Sequence, residues 1–83
     1  MYQVKILSAA CKDLDRFPKI TFLKLTQEID KLKSNPRPFG VMKLTNEEGY
    51  RVRVGDYRIL YRVDDPVKQI FVYRIKHRKE AYR

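Results

Sequence analysis

Arg51 and Arg53 lie two residues apart, and Arg58 and Arg62 lie four apart, in stretches otherwise rich in Tyr, Val, Ile and Leu. In an extended chain side chains alternate, so even spacings place these arginines on one face. Guanidinium groups presented this way suit bidentate contact with phosphate or carboxylate oxygens. Gly55-Asp56 separates the two stretches, and glycine first in a two-residue hairpin loop fits a type II′ turn. That turn pairs Val54 with Tyr57, Arg53 with Arg58, Val52 with Ile59, Arg51 with Leu60 and Tyr50 with Tyr61. One face then carries Tyr50, Val52, Val54, Tyr57, Ile59 and Tyr61, and the other Arg51, Arg53, Arg58 and Arg62. Like charges opposed across strands repel. An anion between Arg53 and Arg58 would relieve that repulsion, and so would splaying the long side chains into water; both readings stand.

The same phasing on the last stretch, Gln69–Lys76, puts Phe71, Tyr73 and Ile75 in the core and adds Arg74, Lys76 and Arg78 to the arginine face. It also sends Ile70 and Val72 to that face, an apolar pair in a polar place. Neither Arg58 nor Arg78 is expected to be buried. The single histidine, His77, falls opposite Lys76 and Arg78 in this phase. Charge follows the same geography. Residues 1–49 hold nine Lys/Arg against six Asp/Glu, whereas residues 50–83 hold ten against four, and seven of those ten are arginine. The second part is therefore where a polyanion should bind.

Other chemistries are poorly supplied. One cysteine and one histidine cannot furnish an ordinary four-ligand zinc site or an intrachain disulfide, and no cofactor or metal is expected. Cys11 has no basic or histidine neighbour to activate it and reads as a plain thiol. The apolar runs are too short to span a membrane. The alternating start, Met1-Tyr2-Gln3-Val4-Lys5-Ile6, lacks the apolar block of a signal peptide, so the expected location is cytoplasmic.

The elements that would position the arginines follow from periodicity. Residues 2–7 alternate as a strand. Ser8 stands where a helix N-cap belongs, and a short helix over about 9–16 follows. Pro18 suits the first turn of a second helix, which reaches about Ser34 with Phe22, Leu25, Ile29 and Leu32 on one face. Asn35-Pro36-Arg37-Pro38-Phe39-Gly40 is a loop, and Thr45 to Gly49 is a polar turn. Strands then cover Tyr50–Val54, Tyr57–Val63 and Gln69–Lys76, with Asp64-Asp65-Pro66 between the last two. The order is β-α-α-β-β-β. The reading is a single α+β domain over residues 1–83, a helical hairpin packed on a small, mainly antiparallel sheet. A chain of this size buries only about 60% of its unfolded surface, so one sheet face can stay open.

Three blocks together resemble the RelE/ParE toxin superfamily: Asn35-Pro36-Arg37-Pro38; Lys43-Leu44 followed by Gly49-Tyr50-Arg51-Val52-Arg53-Val54-Gly55-Asp56-Tyr57-Arg58-Ile59-Leu60-Tyr61; and the ending Lys76-His77-Arg78-Lys79-Glu80-Ala81-Tyr82-Arg83. The resemblance covers essentially the whole chain. It implies a toxin of a type II toxin–antitoxin pair, with a cognate antitoxin as partner. Members divide between RelE-type nucleases, which cut messenger RNA in the ribosomal A site, and ParE-type inhibitors of DNA gyrase. The RelE-type pattern implies catalytic roles for Arg53, Arg58, Arg78 and Tyr82. Substrate contacts are then expected from Arg51, Arg62, Arg74, Lys76 and His77. These matches favour a ribosome-dependent endoribonuclease acting on mRNA over a gyrase inhibitor or a non-catalytic nucleic-acid-binding module. Two departures matter. Arginines stand at 51 and 53 where the best-known RelE-type site has lysines, and the chain stops just after Tyr82, so no C-terminal helix is expected.

Metal-free cleavage would use the ribose 2′-OH as nucleophile, leaving a 2′,3′-cyclic phosphate and a 5′-OH. It needs a proton acceptor, a proton donor for the 5′-oxygen, and cations for the phosphorane charge. Arginine suits the last role and, with a pKa above ~12, is poor at the first. The general base therefore stays open among Tyr82, His77 and Glu80.

Overall fold

Alternating apolar residues at one end of the chain and helical spacing next to them give the first three elements of the computed structural model, which describes residues 1–45 and 49–81. Strand β1 (Gln3–Ile6) leads into helix α1 (Ser8–Asp15) and, past Pro18, helix α2 (Lys19–Lys31). A two-residue strand β2 (Met42–Lys43) precedes β3 (Tyr50–Val54), β4 (Tyr57–Asp64) and β5 (Gln69–His77), and a short α3 (Arg78–Ala81) follows. The strands form one sheet in the order β1-β5-β4-β3-β2. Only β1–β5 is parallel; the other pairs are antiparallel. This is an α+β fold with two helices packed on one face of the sheet. Among the described residues, no helix is long and apolar enough to cross a membrane.

The hairpin register is the one the Gly55-Asp56 turn dictates, from Val54↔Tyr57 to Tyr50↔Tyr61. Gly55 takes φ +58°, the left-handed region that a type II′ turn demands at its first central residue. The core lies between this sheet face and the helices. Leu25, Ile29 and Leu32 from the second helical segment and Ala10 and Leu14 from α1 meet Ile59, Tyr61, Ile70, Val72 and Ile75. Phe22, expected among the core residues of α2, lies at the rim and is exposed.

Four expectations about the elements themselves are also corrected. Leu7, not Ser8, holds the N-cap position of α1, and it makes no side-chain cap bond. Strand β2 is an addition, too short for its alternation to show. Helix α3 exists where none was expected, although it spans a single turn. The phase of β5 changes midway: Leu60 pairs with Arg74 and Tyr61 with Val72, so Tyr73 is the extra residue of a β-bulge. Below the bulge Ile70 and Val72 turn into the core and Phe71 turns out of it; above it Ile75 is in the core as expected. The bulge buries Ile70 and Val72 fully and leaves Phe71 half-buried on the open face.

Two polar clamps hold this frame. The first lies where β1 stops short of β5. The last bond between them runs from Leu7 N–H to Val72 O, leaving the edge of β5 beyond it without a strand partner. Helix α1 covers that edge. Asp13, only 2% exposed, accepts the Ile75 N–H at 2.8 Å and Arg74 Nε at 2.9 Å through Oδ2. Its Oδ1 accepts from Arg16 at 2.9 Å. Burial pushes the Asp13 carboxyl up, but Arg74, the Ile75 amide and Arg16 outweigh it and hold the group below its ordinary value.

Asp13→Asn keeps the shape and one acceptor but removes the charge. It is expected to cost about 1–2 kcal/mol at neutral pH, discounted because Arg74 is partly solvated. A carboxyl depressed in the folded state contributes stability above its unfolded pKa and loses it as pH falls through the folded value. The wild-type protein should therefore lose this increment below about pH 4. Urea unfolding across pH 5 to 2 should show that added fall in the wild type and not in the variant.

The second clamp explains Asn35-Pro36-Arg37-Pro38. Arg37 donates to both Asp65 oxygens, at 3.3 and 2.8 Å, and from Nε to the Tyr50 hydroxyl at 2.9 Å. Tyr2 donates to Asp65 Oδ1 at 2.6 Å, and the Tyr61 hydroxyl donates to Pro36 O at 2.6 Å. Hydrogen bonds from Arg37 and then Tyr2 hold the Asp65 carboxyl below its ordinary value. Burial pushes the Tyr61 hydroxyl up to about 12. The loop after α2 is thus tied to β3, β4 and the β4–β5 turn, at the end of the sheet opposite α3.

Candidate nucleic-acid interface

On the sheet face turned away from α1 and α2, strand register sets the side chains in rows, three of which carry cations. Nearest α3, Arg53 pairs with Arg58, and Arg58 with Lys76. The middle row runs Met42, Arg51, Leu60, Arg74. The third runs Arg62, Phe71, Lys5. Backbone hydrogen bonding across all five strands fixes their spacing.

Arg58 departs most from expectation. It is only 5% exposed, the most buried cation of the open face. Its Nη1 has no hydrogen-bond partner among the described residues. Its neighbours in register are Arg53 and Lys76, and among the described residues none of the three pairs with a carboxylate. A buried guanidinium with an unmet donor and cationic neighbours is costly to fold. A ligand bringing negative charge, as a phosphate does, would offset that cost. Above this row, the Arg78 N–H donates to Asp56 O at 2.6 Å, anchoring the start of α3 to the β3–β4 turn. Helix α3 lies against β4 and β5, and the Arg78 side chain is exposed there.

Other predicted residues go elsewhere. Arg74 reaches over the sheet edge to Asp13, so its charge is already matched within the protein. His77 sits on the opposite face. It stands edge-on to the Tyr57 ring at 5.1 Å, and its Nδ1 accepts the Lys79 N–H at 3.2 Å. That contact braces the first turn of α3. Arg51 donates from Nη2 to the Met42 sulfur at 3.0 Å. Arg62 places its guanidinium carbon 5.7 Å from the centre of the Phe71 ring. Tyr82 and the Glu80 side chain lie outside the described residues.

The family profile described as the ParE toxin of the type II toxin–antitoxin system parDE matches residues 4–82. The chain is 35% identical to the toxin RelE1 of Methanocaldococcus jannaschii, over 99% of this chain and 96% of the relative. The chain belongs to the RelE/ParE superfamily of type II toxins.

Solved structures agree with that assignment. The RelBE2 toxin–antitoxin complex of Mycobacterium tuberculosis matches with a TM-score of 0.82 and 28% identity, over 93% of this chain and 98% of that one. The archaeal RelE–RelB complex of Pyrococcus horikoshii matches at 0.79 and 31%, over 93% and 94%. Within this RelE/ParE chain, the fold brings Arg53, Arg58 and Lys76 into one row with Arg78 at the same end of the sheet. It keeps Arg74 and His77 out of that group. Sequence reasoning missed Phe71 as an open-face residue and Asp13 as the clamp on β5. The signal for Phe71 was the misplaced pair Ile70 and Val72; a single acidic residue in a short helix carried no signal for Asp13.

Proposed function

We propose that this toxin is a ribosome-dependent endoribonuclease that cleaves mRNA by attack of the ribose 2′-OH, without a metal ion. The observation that carries the reading is Arg58, buried and with an unmet donor between Arg53 and Lys76. A phosphate meeting that group gains most when its charge rises, as in a phosphorane, because the donors are already fixed and desolvated. Arg53 and Arg78 would add charge from either side, Arg51, Arg62 and Lys76 would hold the flanking backbone, and Tyr82 would stack or transfer a proton. The Arg58 end of the open face holds, among the described residues, cations and no evident base for the 2′-OH, which leaves Tyr82 and Glu80 as the chain's own candidates. The ribosome would be the partner that presents mRNA in its A site, and the toxin would act in the cytoplasm. A cognate antitoxin is the natural second partner, since the solved relatives above are complexes of RelE with RelB.

The ParE description of the matching family profile favours a second reading, gyrase inhibition without chemistry. Primer extension on mRNA after induction separates the two. Discrete cuts at codon positions are expected; gyrase–DNA cleavage complexes without RNA cuts would overturn the nuclease reading. Binding should also weaken steeply with salt, as several counterions are released. A flat response would move the RNA site off this face.

A further inference from the structure

We propose that the third row, Lys5, Phe71 and Arg62, is a nucleobase-stacking subsite for single-stranded RNA, separate from the Arg58 end of the face. The proposal rests on the reading that this face binds RNA and goes beyond it by assigning a second contact of different chemistry.

The row exists because of the bulge at Tyr73, which turns Phe71 out of the core and aligns it with Arg62 on β4 and Lys5 on β1. Phe71 is half-buried, and Lys5 and Arg62 are exposed. Among the described residues, α3 packs near the His77 end of β5 and leaves this end uncovered. Gly49 completes the arrangement. It sits at φ +122°, and a Cβ there would collide with the Tyr61 carbonyl oxygen and come close to Arg62 Cγ. The glycine is required chiefly by the Tyr61 backbone, with the Arg62 stem running alongside it and its guanidinium over the Phe71 ring.

An aromatic ring with a guanidinium 5.7 Å over it, flanked by a lysine, offers planes on which an unstacked base can stack, by sliding onto the guanidinium or displacing it from the ring, with the cations meeting the adjacent phosphates. A duplex keeps its bases stacked on each other and could not use the ring. Arg58 and Arg62 are four residues apart on one strand, about 13 Å. A base stacked on Phe71 therefore belongs to a different nucleotide from the one whose phosphate meets Arg58. Asp64, two residues beyond Arg62 at the end of β4, sets a carboxylate where the basic stripe stops.

The test is direct binding of the full-length protein to two labelled probes at low salt, a hexa-adenylate and an abasic oligonucleotide of equal length. Phe71→Ala should weaken hexa-adenylate binding about tenfold and leave the abasic probe unchanged, since stacking contributes to the first alone. Phe71→Tyr, which keeps a ring, should restore binding and guards against a folding artefact. Arg62→Ala should weaken both probes and reduce the salt slope by about one. Equal binding of hexa-adenylate by wild type and Phe71→Ala overturns the subsite, as does a Phe71→Ala defect seen only against the antitoxin, which would make the row a protein interface. Because the nuclease reading is read by mRNA cuts, either result can occur with cleavage intact, and the two failures stay distinguishable.

Discussion

Arg58→Met should lower mRNA cleavage at least a hundredfold, about 3 kcal/mol of transition-state stabilisation, while leaving the free toxin as stable as the wild type or more so. The two effects have one cause. Arg58 is buried beside Arg53 and Lys76, and its Nη1 meets no acceptor among the described residues. Desolvating a charge without matching it costs free energy, and replacing buried ionic groups with apolar ones of similar volume is often neutral or stabilising by about 1–4 kcal/mol. Methionine keeps the unbranched stem and fills the space. Alanine would confound the test, because truncating a buried side chain adds a cavity term. Primer extension reads the first effect and thermal unfolding the second. Full cleavage by a folded Arg58→Met protein would remove this residue from the site. A loss of several kcal/mol would make Arg58 a structural cation.

That prediction could not be written from the sequence. Even spacing and the Gly55-Asp56 turn specify the β3–β4 register residue by residue, because a two-residue loop leaves one pairing and the alternation of Arg with Val and Ile leaves one choice of face. Burial of Arg58 is different. It depends on what neighbouring strands and α3 bring across the face, contacts that no local pattern encodes. The same holds for Arg74. It alternates correctly toward the open side, yet Asp13 sits 61 positions away in sequence, and only the shortness of β1 leaves the gap that α1 fills. The bulge was half legible, since a strict alternation forced Ile70 and Val72 into a polar place. His77 fell opposite Lys76 by alternation, as expected, and its partner Tyr57 follows from the β4–β5 register. Its second contact, with the Lys79 amide, required knowing that the chain turns into α3.

Arg78→Ala is expected to separate folding from function most cleanly. The backbone of Arg78 is fixed by its own N–H bond to Asp56 O, which any residue but proline can make, and its side chain is exposed. Stability should therefore change by no more than about 0.5 kcal/mol. Cleavage should fall about a hundredfold if the side chain reaches the phosphate held at Arg58, the usual loss when one fixed transition-state donor is removed. Arg53→Lys, on the neighbouring strand, should behave oppositely. It keeps the charge, restores the lysine of the best-known RelE-type site, and supplies a group that can lose a proton when crowded by cations. Cleavage should persist or rise, whereas Arg53→Ala should lower it. Induced expression with primer extension measures all three, and calorimetric titration with the cognate antitoxin checks that each variant is folded. A folded, antitoxin-binding Arg78→Ala that cuts mRNA and arrests growth like the wild type would place the nuclease site elsewhere. Growth arrest by that variant with gyrase–DNA cleavage and no RNA cuts would hand the chain to the ParE side of its superfamily.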